Sequence, residues 1–220
     1  NSYIHTAWCQ YDNETKNVAL KNRGTLWGNE WNMICLPFKL ATSAYKQVFG
    51  EDVKVAEFKG VTKSEGGEVL SFDLAYINEK NGMKAATPYL IFPSKDIPTE
   101  DLEFEGVKVS VKTTAEQATG DTEFKLIGTL EPTALTKGNQ QIVLMRSNQL
   151  KYMASGTTTP MQACRAYFEA VSGTDVTSAK TFKFSIDGVS TDVKLVEMNG
   201  SPINADAKIY NLNGQQVGKS

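Results

Sequence analysis

The chain has 220 residues, 40% hydrophobic and 22% charged, with 23 basic and 25 acidic side chains and a net charge of −2. That length allows one large core or two modest ones. The charges are interspersed and form no basic stripe, which excludes nucleic acid and anionic lipid as expected partners.

Residues 3–11 are rich in aromatic and β-favouring types and read as a first strand, followed by a polar turn cluster at Asp12 to Asn17. Val18 to Leu26 is weakly patterned and reads as an edge strand ending near Gly24. The run Trp31-Asn32-Met33-Ile34-Cys35-Leu36-Pro37-Phe38 is nearly all apolar. It reads as a strand buried on both faces and closed by Pro37, which has no N–H to donate. Leu40 to Gly50 is the one helical pattern: Ala44, Tyr45, Val48 and Phe49 share a face, Thr42 or Ser43 can cap the start, and Gly50 stops it. So short a helix depends on packing.

From Val53 onward the period is two. Strands are expected around Val53 to Phe58, Val69 to Ile77 and Pro88 to Pro93, the last bracketed by prolines. Val107, Val109 and Val111 alternate with polar residues, as half-exposed strands do. Phe124 to Leu130, Ile142 to Arg146, Leu150 to Met153 and Gln162 to Phe168 continue the series. Phe182, Phe184 and Ile186 alternate before an Asp187-Gly188 turn, and Val193 to Val196 and Lys208 to Leu212 close the list. About a dozen short strands with one short helix predict an all-β fold, an antiparallel β-sandwich of jelly-roll-like kind. The expected organisation is a main sandwich over 1–173 and a C-terminal β extension, or the start of a sorting-type segment, over 174–220. No apolar run approaches the roughly 20 residues that span a bilayer. No signal-peptide pattern is present, and Asn1-Ser2-Tyr3 reads as the opening of a processed chain.

Several of these segments, in this order, resemble a domain of secreted and surface proteins of Bacteroidetes bacteria. The matching residues are Trp31 to Phe38, Phe49-Gly50, Lys54 to Val61, Thr87 to Ile91 and Arg165 to Phe168. Met33 stands where threonine is usual, and Ala86-Thr87 where a glycine-containing pair is usual. Ala207 to Val217 resembles the opening of the type A sorting segments that follow such domains. The resemblance implies a secreted or cell-surface location, and the expected partner is an envelope protein or a surface glycan.

Chemistry is sparse. Cys9, Cys35 and Cys164 have no zinc or disulfide-framework spacing; Cys35 and Cys164 read as buried thiols, and a Cys9–Cys35 bridge is compatible with an oxidising compartment. The sole histidine, His5, reads as a strand residue near the surface, so no histidine-based catalytic scheme is indicated. Glu103 and Glu105 alternate with Leu102 and Phe104, which points to a solvated strand face rather than a glycosidase pair. No metal, cofactor or catalytic residue is expected. The one candidate ligand-binding residue is Trp27, beside Gly28 and the polar Asn29-Glu30, as a platform for a sugar ring. The expected function is therefore non-catalytic adhesion or interaction. Carbohydrate binding is the alternative, and a glycoside hydrolase the lesser one.

Overall fold

The computed structural model describes residues 8, 10–21, 23–110, 118–152, 156, 158–171, 174, 176, 179, 181–193, 208–210 and 216–219. The elements begin with β1 (Thr15–Ala19), β2 (Asn32–Cys35), helix α1 (Thr42–Phe49), β3 (Lys54–Lys63), β4 (Val69–Tyr76), β5 (Pro88–Phe92) and β6 (Glu103–Lys108). Then come β7 (Ala118–Gly120), β8 (Phe124–Thr129), β9 (Thr133–Leu135), β10 (Gln141–Met145), β11 (Gln149–Tyr152) and β12 (Thr159–Met161). The series closes with β13 (Arg165–Ala170), β14 (Thr181–Ile186), β15 (Val189–Val193), β16 (Lys208–Tyr210) and β17 (Gln216–Lys219).

Two sheets make the sandwich. One has six strands in the order β15-β14-β4-β3-β5-β2, the other five in the order β11-β10-β13-β8-β7. Every ladder in them is antiparallel except β14 on β4, which is parallel over Thr181↔Val69 to Ile186↔Leu74. The all-β, sandwich-like class expected from the sequence is the observed one.

Strict alternation explains the inner face. In β14, and in β4 as far as Leu74, every second residue is buried, and these side chains meet those of β8 and β13 from the facing sheet. Phe72 is fully buried. Its ring centroid lies 4.4 Å from that of Phe168 and 5.5 Å from those of Phe124 and Phe182, within the range of favourable aromatic pairing. Phe182, Phe184 and Ile186 belong to this same core, so β14 and β15 extend the main sheet.

A second core lies on the opposite face of β2, β3 and β5. Ile34, Val55, Tyr89 and Ile91 point into it, and α1 together with the β1–β6 ribbon forms its lid. All four residues of β2 are buried, because Met33 faces the inter-sheet core while Ile34 faces this second one. The nearly all-apolar run is thus the signature of a strand between two cores.

Three local expectations are corrected. Of the expected first strand, residues 8, 10 and 11 are described, and they are not extended: Trp8 is helical, and Gln10 and Tyr11 lie in a turn. The Tyr11 N–H donates to the Trp8 carbonyl, and the Trp8 indole N–H donates to the Leu130 carbonyl at 3.1 Å. The strand expected at Val18 to Leu26 is instead Thr15–Ala19, and beyond it the Arg23 N–H donates to the Leu20 carbonyl at 3.3 Å in a turn. Helix α1 is capped by neither Thr42 nor Ser43. Its N-cap is Ala41, without a side-chain bond, and the Thr42 hydroxyl donates instead to the Glu79 carbonyl. Burial of Tyr45 and Phe49 holds the helix. His5, Cys9 and Val111 lie outside the described residues.

Candidate functional site

β2 is the last strand of its sheet, so one of its edges has no ladder partner. A loop, residues 23–30, reaches that edge through the Arg23 side chain, which donates to the Met33 carbonyl, and is pinned to the segment after β5. Leu26 bridges Ile97 in both directions, the Gly28 N–H donates to Asp96 Oδ1 at 2.8 Å, and the Asn29 N–H donates to the Pro93 carbonyl at 2.7 Å. Gly28 is required by contact: a Cβ there would lie 2.3 Å from the Lys95 carbonyl carbon. The buried Asn32 side chain fixes Trp27 at both backbone groups. Its Oδ1 accepts the Trp27 N–H at 2.9 Å, and its Nδ2 donates to the Trp27 and Glu30 carbonyls at 2.9 and 2.8 Å.

The other wall comes from the facing sheet. The β10–β11 turn places Ser147 and Asn148 in the left-handed region, at φ 59° and 52°. The Ser147 N–H donates to Glu30 Oε2 at 2.8 Å, and Asn148 Oδ1 accepts the Trp31 N–H at 2.6 Å. Arg146 stacks its guanidinium over the Trp27 ring, 3.7 Å from the centroid, a close cation–π contact.

Between these walls is a cavity of about 150 Å³ bordered by Arg23, Trp27, Glu30, Arg146 and Arg165, with Met33 and Leu144 among its apolar lining. Trp27, the residue singled out from sequence, is half-buried there, with one ring face occupied by Arg146. The structure brings to Trp27 a set of residues that the sequence reading passed over.

Arg23 is 4% exposed. Its Nη2 donates to the Met33 carbonyl on the open edge of β2. Its Nε has no partner among the described residues. Burial, and then the neighbouring Arg165 charge, push its pKa down to about 9, so it stays charged at neutral pH. Arg165, the first residue of β13, donates from Nε and Nη2 to the Arg23 carbonyl at 3.1 and 2.6 Å. Gly24, at φ +86°, permits this approach, since a Cβ there would lie 2.8 Å from Arg165 Nη2. Cys164 contributes no reactivity at this corner: burial raises its pKa to about 12, which keeps it a thiol.

A second opening, about 740 Å³ and shallower, is bordered by Lys39, Lys80, Lys84 and Lys108. All four lysines are exposed, so water already solvates them. Glu103 and Glu105 are exposed on β6, with Leu102 and Phe104 buried behind them. Among the described residues no group of three or more His, Cys, Asp or Glu side chains has the arrangement of a metal site. No helix among them is long and apolar enough to cross a membrane. Cys35 is fully buried beside Ala86 and Leu130.

Sequence signals for the arginines are weak. Arg165 opens the Arg165 to Phe168 segment, but nothing in periodicity distinguishes a buried arginine from a solvated one. The Arg23-Gly24 pair between Leu20 and Leu26 is the nearest signal, because glycine there permits a close approach. Comparisons of the chain with protein-family models, curated proteins and solved structures find no match.

Proposed function

We propose that this chain is a non-catalytic recognition module of a secreted or cell-surface protein, serving adhesion or interaction within a larger envelope protein, with a surface glycan as its target. The observation that carries this reading is the built cavity at Trp27. An aromatic ring is held by three hydrogen bonds from Asn32 to its loop and bordered by both donors and an acceptor. Sugar rings are recognised by that combination, an apolar face for the C–H surface and polar groups for the hydroxyls. The location rests on the resemblance of the Trp31 to Phe38 segment and its successors to Bacteroidetes surface domains. Lys208–Tyr210 and Gln216–Lys219 pair antiparallel, which suits a small C-terminal sorting-type segment.

Glycoside hydrolysis is the weaker reading, because the usual mechanism needs two carboxyl groups across the scissile bond. The cavity has one, Glu30, and its Oε2 already accepts the Ser147 N–H. A broad glycan array with the purified chain and a Trp27→Ala variant is the test. Dose-dependent binding lost in the variant supports glycan recognition. Silence across the array, with specific capture of an envelope protein by the same chain, replaces it with protein-mediated adhesion.

A further inference from the structure

Three guanidinium groups border the Trp27 cavity, against the single carboxylate of Glu30. Among the described residues none of Arg23, Arg146 and Arg165 has a carboxylate within ion-pair distance. The five ion pairs observed there all use lysine. A buried guanidinium is expensive without a counter-charge, and arginine forks are matched to carboxylate and sulfate oxygens. The deepest of the three, Arg23, also has an Nε with no acceptor. The cavity therefore holds an excess of positive charge, and at Arg23, which is buried, and Arg165, which is half-buried, water screens it poorly.

We infer that the cavity binds an acidic saccharide unit, a pyranose ring carrying a carboxylate or sulfate group. The anionic group meets the guanidinium side of the cavity, the ring lies beside Trp27, and hydroxyls donate to Glu30. This inference rests on the glycan reading above and names its chemical class. Glu30 decides between a bare anion and a sugar acid. A carboxylate beside the site repels a simple oxyanion but accepts hydrogen bonds from hydroxyl groups. Size decides the rest: about 150 Å³ matches one small ring, and is well below the roughly 300–1,000 Å³ of pockets for drug-sized ligands. The lysine-bordered opening is the rival location, but its charges are exposed and already hydrated.

The test is calorimetric titration of the full chain, at fixed ionic strength, with glucuronate, glucose 6-sulfate, glucose and inorganic sulfate. The variants are Arg146→Ala, Arg165→Gln, Trp27→Ala and Lys39→Ala/Lys84→Ala. At least one sugar acid should bind about tenfold or more tighter than glucose, and the two acids show whether carboxylate or sulfate is preferred. Arg146→Ala and Arg165→Gln should each weaken that binding by about tenfold or more, with the lysine double variant unchanged. Arg146 is exposed, so its variant reports on binding even where Arg165→Gln fails to fold. Glucose binding as tightly as the acids overturns the acid preference. If that binding is Trp27-dependent, the glycan reading survives. Inorganic sulfate binding as tightly as the sugar acids reduces the site to an anion hole and overturns the saccharide. Loss of binding in the lysine variant moves the site and overturns the assignment, and the absence of binding by either acid does so as well. A silent glycan array in addition removes the glycan reading itself.

Discussion

The interior between the two sheets and the edge of β2 at Arg23 are both buried, yet they are built on opposite terms. Between the sheets, Phe72 is ringed by Phe58, Phe124, Phe168, Phe182 and Phe184, and every contact is apolar and mutual. At the edge of β2, Arg23 is nearly as deeply buried, but it faces another guanidinium and leaves a donor unpaired. Packing of the first kind stabilises the fold. Burial of the second kind costs stability and makes sense where a ligand offsets it. On the proposed reading, the difference separates what holds the molecule together from what it offers to a partner.

The most severe challenge to that contrast is Phe72→Ala. Removing a fully buried ring that five others contact should cost about 3–5 kcal/mol, read as a lower midpoint in chemical denaturation. A loss under about 1.5 kcal/mol would mean that the aromatic cluster repacks freely and is not the principal anchor of the two sheets.

Next in size is Gly28→Ala, which tests how rigidly the edge loop is pinned. Its Cβ would meet the Lys95 backbone at 2.3 Å, and overpacking of this kind costs about 1–3 kcal/mol. Binding should suffer with it, because Trp27 is the neighbouring residue. A variant of unchanged stability and unchanged glycan binding would show that the loop yields without consequence.

Arg23→Met draws the contrast most sharply, because the expected result is small. The substitution leaves the Met33 carbonyl without its donor, but it also removes an unpaired cation from the interior. Exchanging buried charges for apolar groups of similar size is often neutral or stabilising. Stability should move by less than about 1.5 kcal/mol in either direction, while binding of the sugar acid falls. A loss approaching that of Phe72→Ala would make Arg23 a structural residue and erase the distinction between the two regions.

The same contrast marks how far the sequence could be read. Alternation in Phe182, Phe184 and Ile186, and the nearly all-apolar run at Trp31 to Phe38, showed which faces are buried, because side-chain burial follows backbone period directly. Helix α1 was legible through the shared face of Tyr45 and Phe49, although not through its cap, since Thr42 reaches outward to Glu79 instead. Trp27 was visible as an aromatic residue in a polar loop. Arg23, Arg146 and Arg165 were not, because their convergence depends on a loop and a turn of the facing sheet meeting at a free strand edge. Those contacts join residues more than a hundred positions apart, such as Arg23 with Arg165 and Glu30 with Ser147. No local pattern encodes them.

Asp121 completes the comparison as a polar group that is fully partnered. From the β7–β8 turn its Oδ2 accepts the Val61 N–H, and its Oδ1 accepts the Glu123 and Phe124 N–H groups, all at 2.8 Å. This ties the five-stranded sheet to β3 just beyond the bulge between Phe58 and Gly60. Burial by itself would raise the carboxyl pKa, but the three backbone donors, Phe124 foremost, outweigh it and hold the pKa below its usual 3.8. A carboxylate whose folded pKa lies below its unfolded value adds stability above the unfolded pKa, and that contribution disappears as pH falls through the folded one. Wild type should therefore be more stable than Asp121→Asn at neutral pH, with the gap narrowing as pH drops below about 3.8. The effect is the smallest of the set, because Asp121 is part-exposed and water screens its charge. A gap that stays constant down to the acid transition would assign the Asp121 contribution to hydrogen-bond geometry rather than charge. Arg23 would then be the one ionised side chain of the two whose charge bears on function or folding.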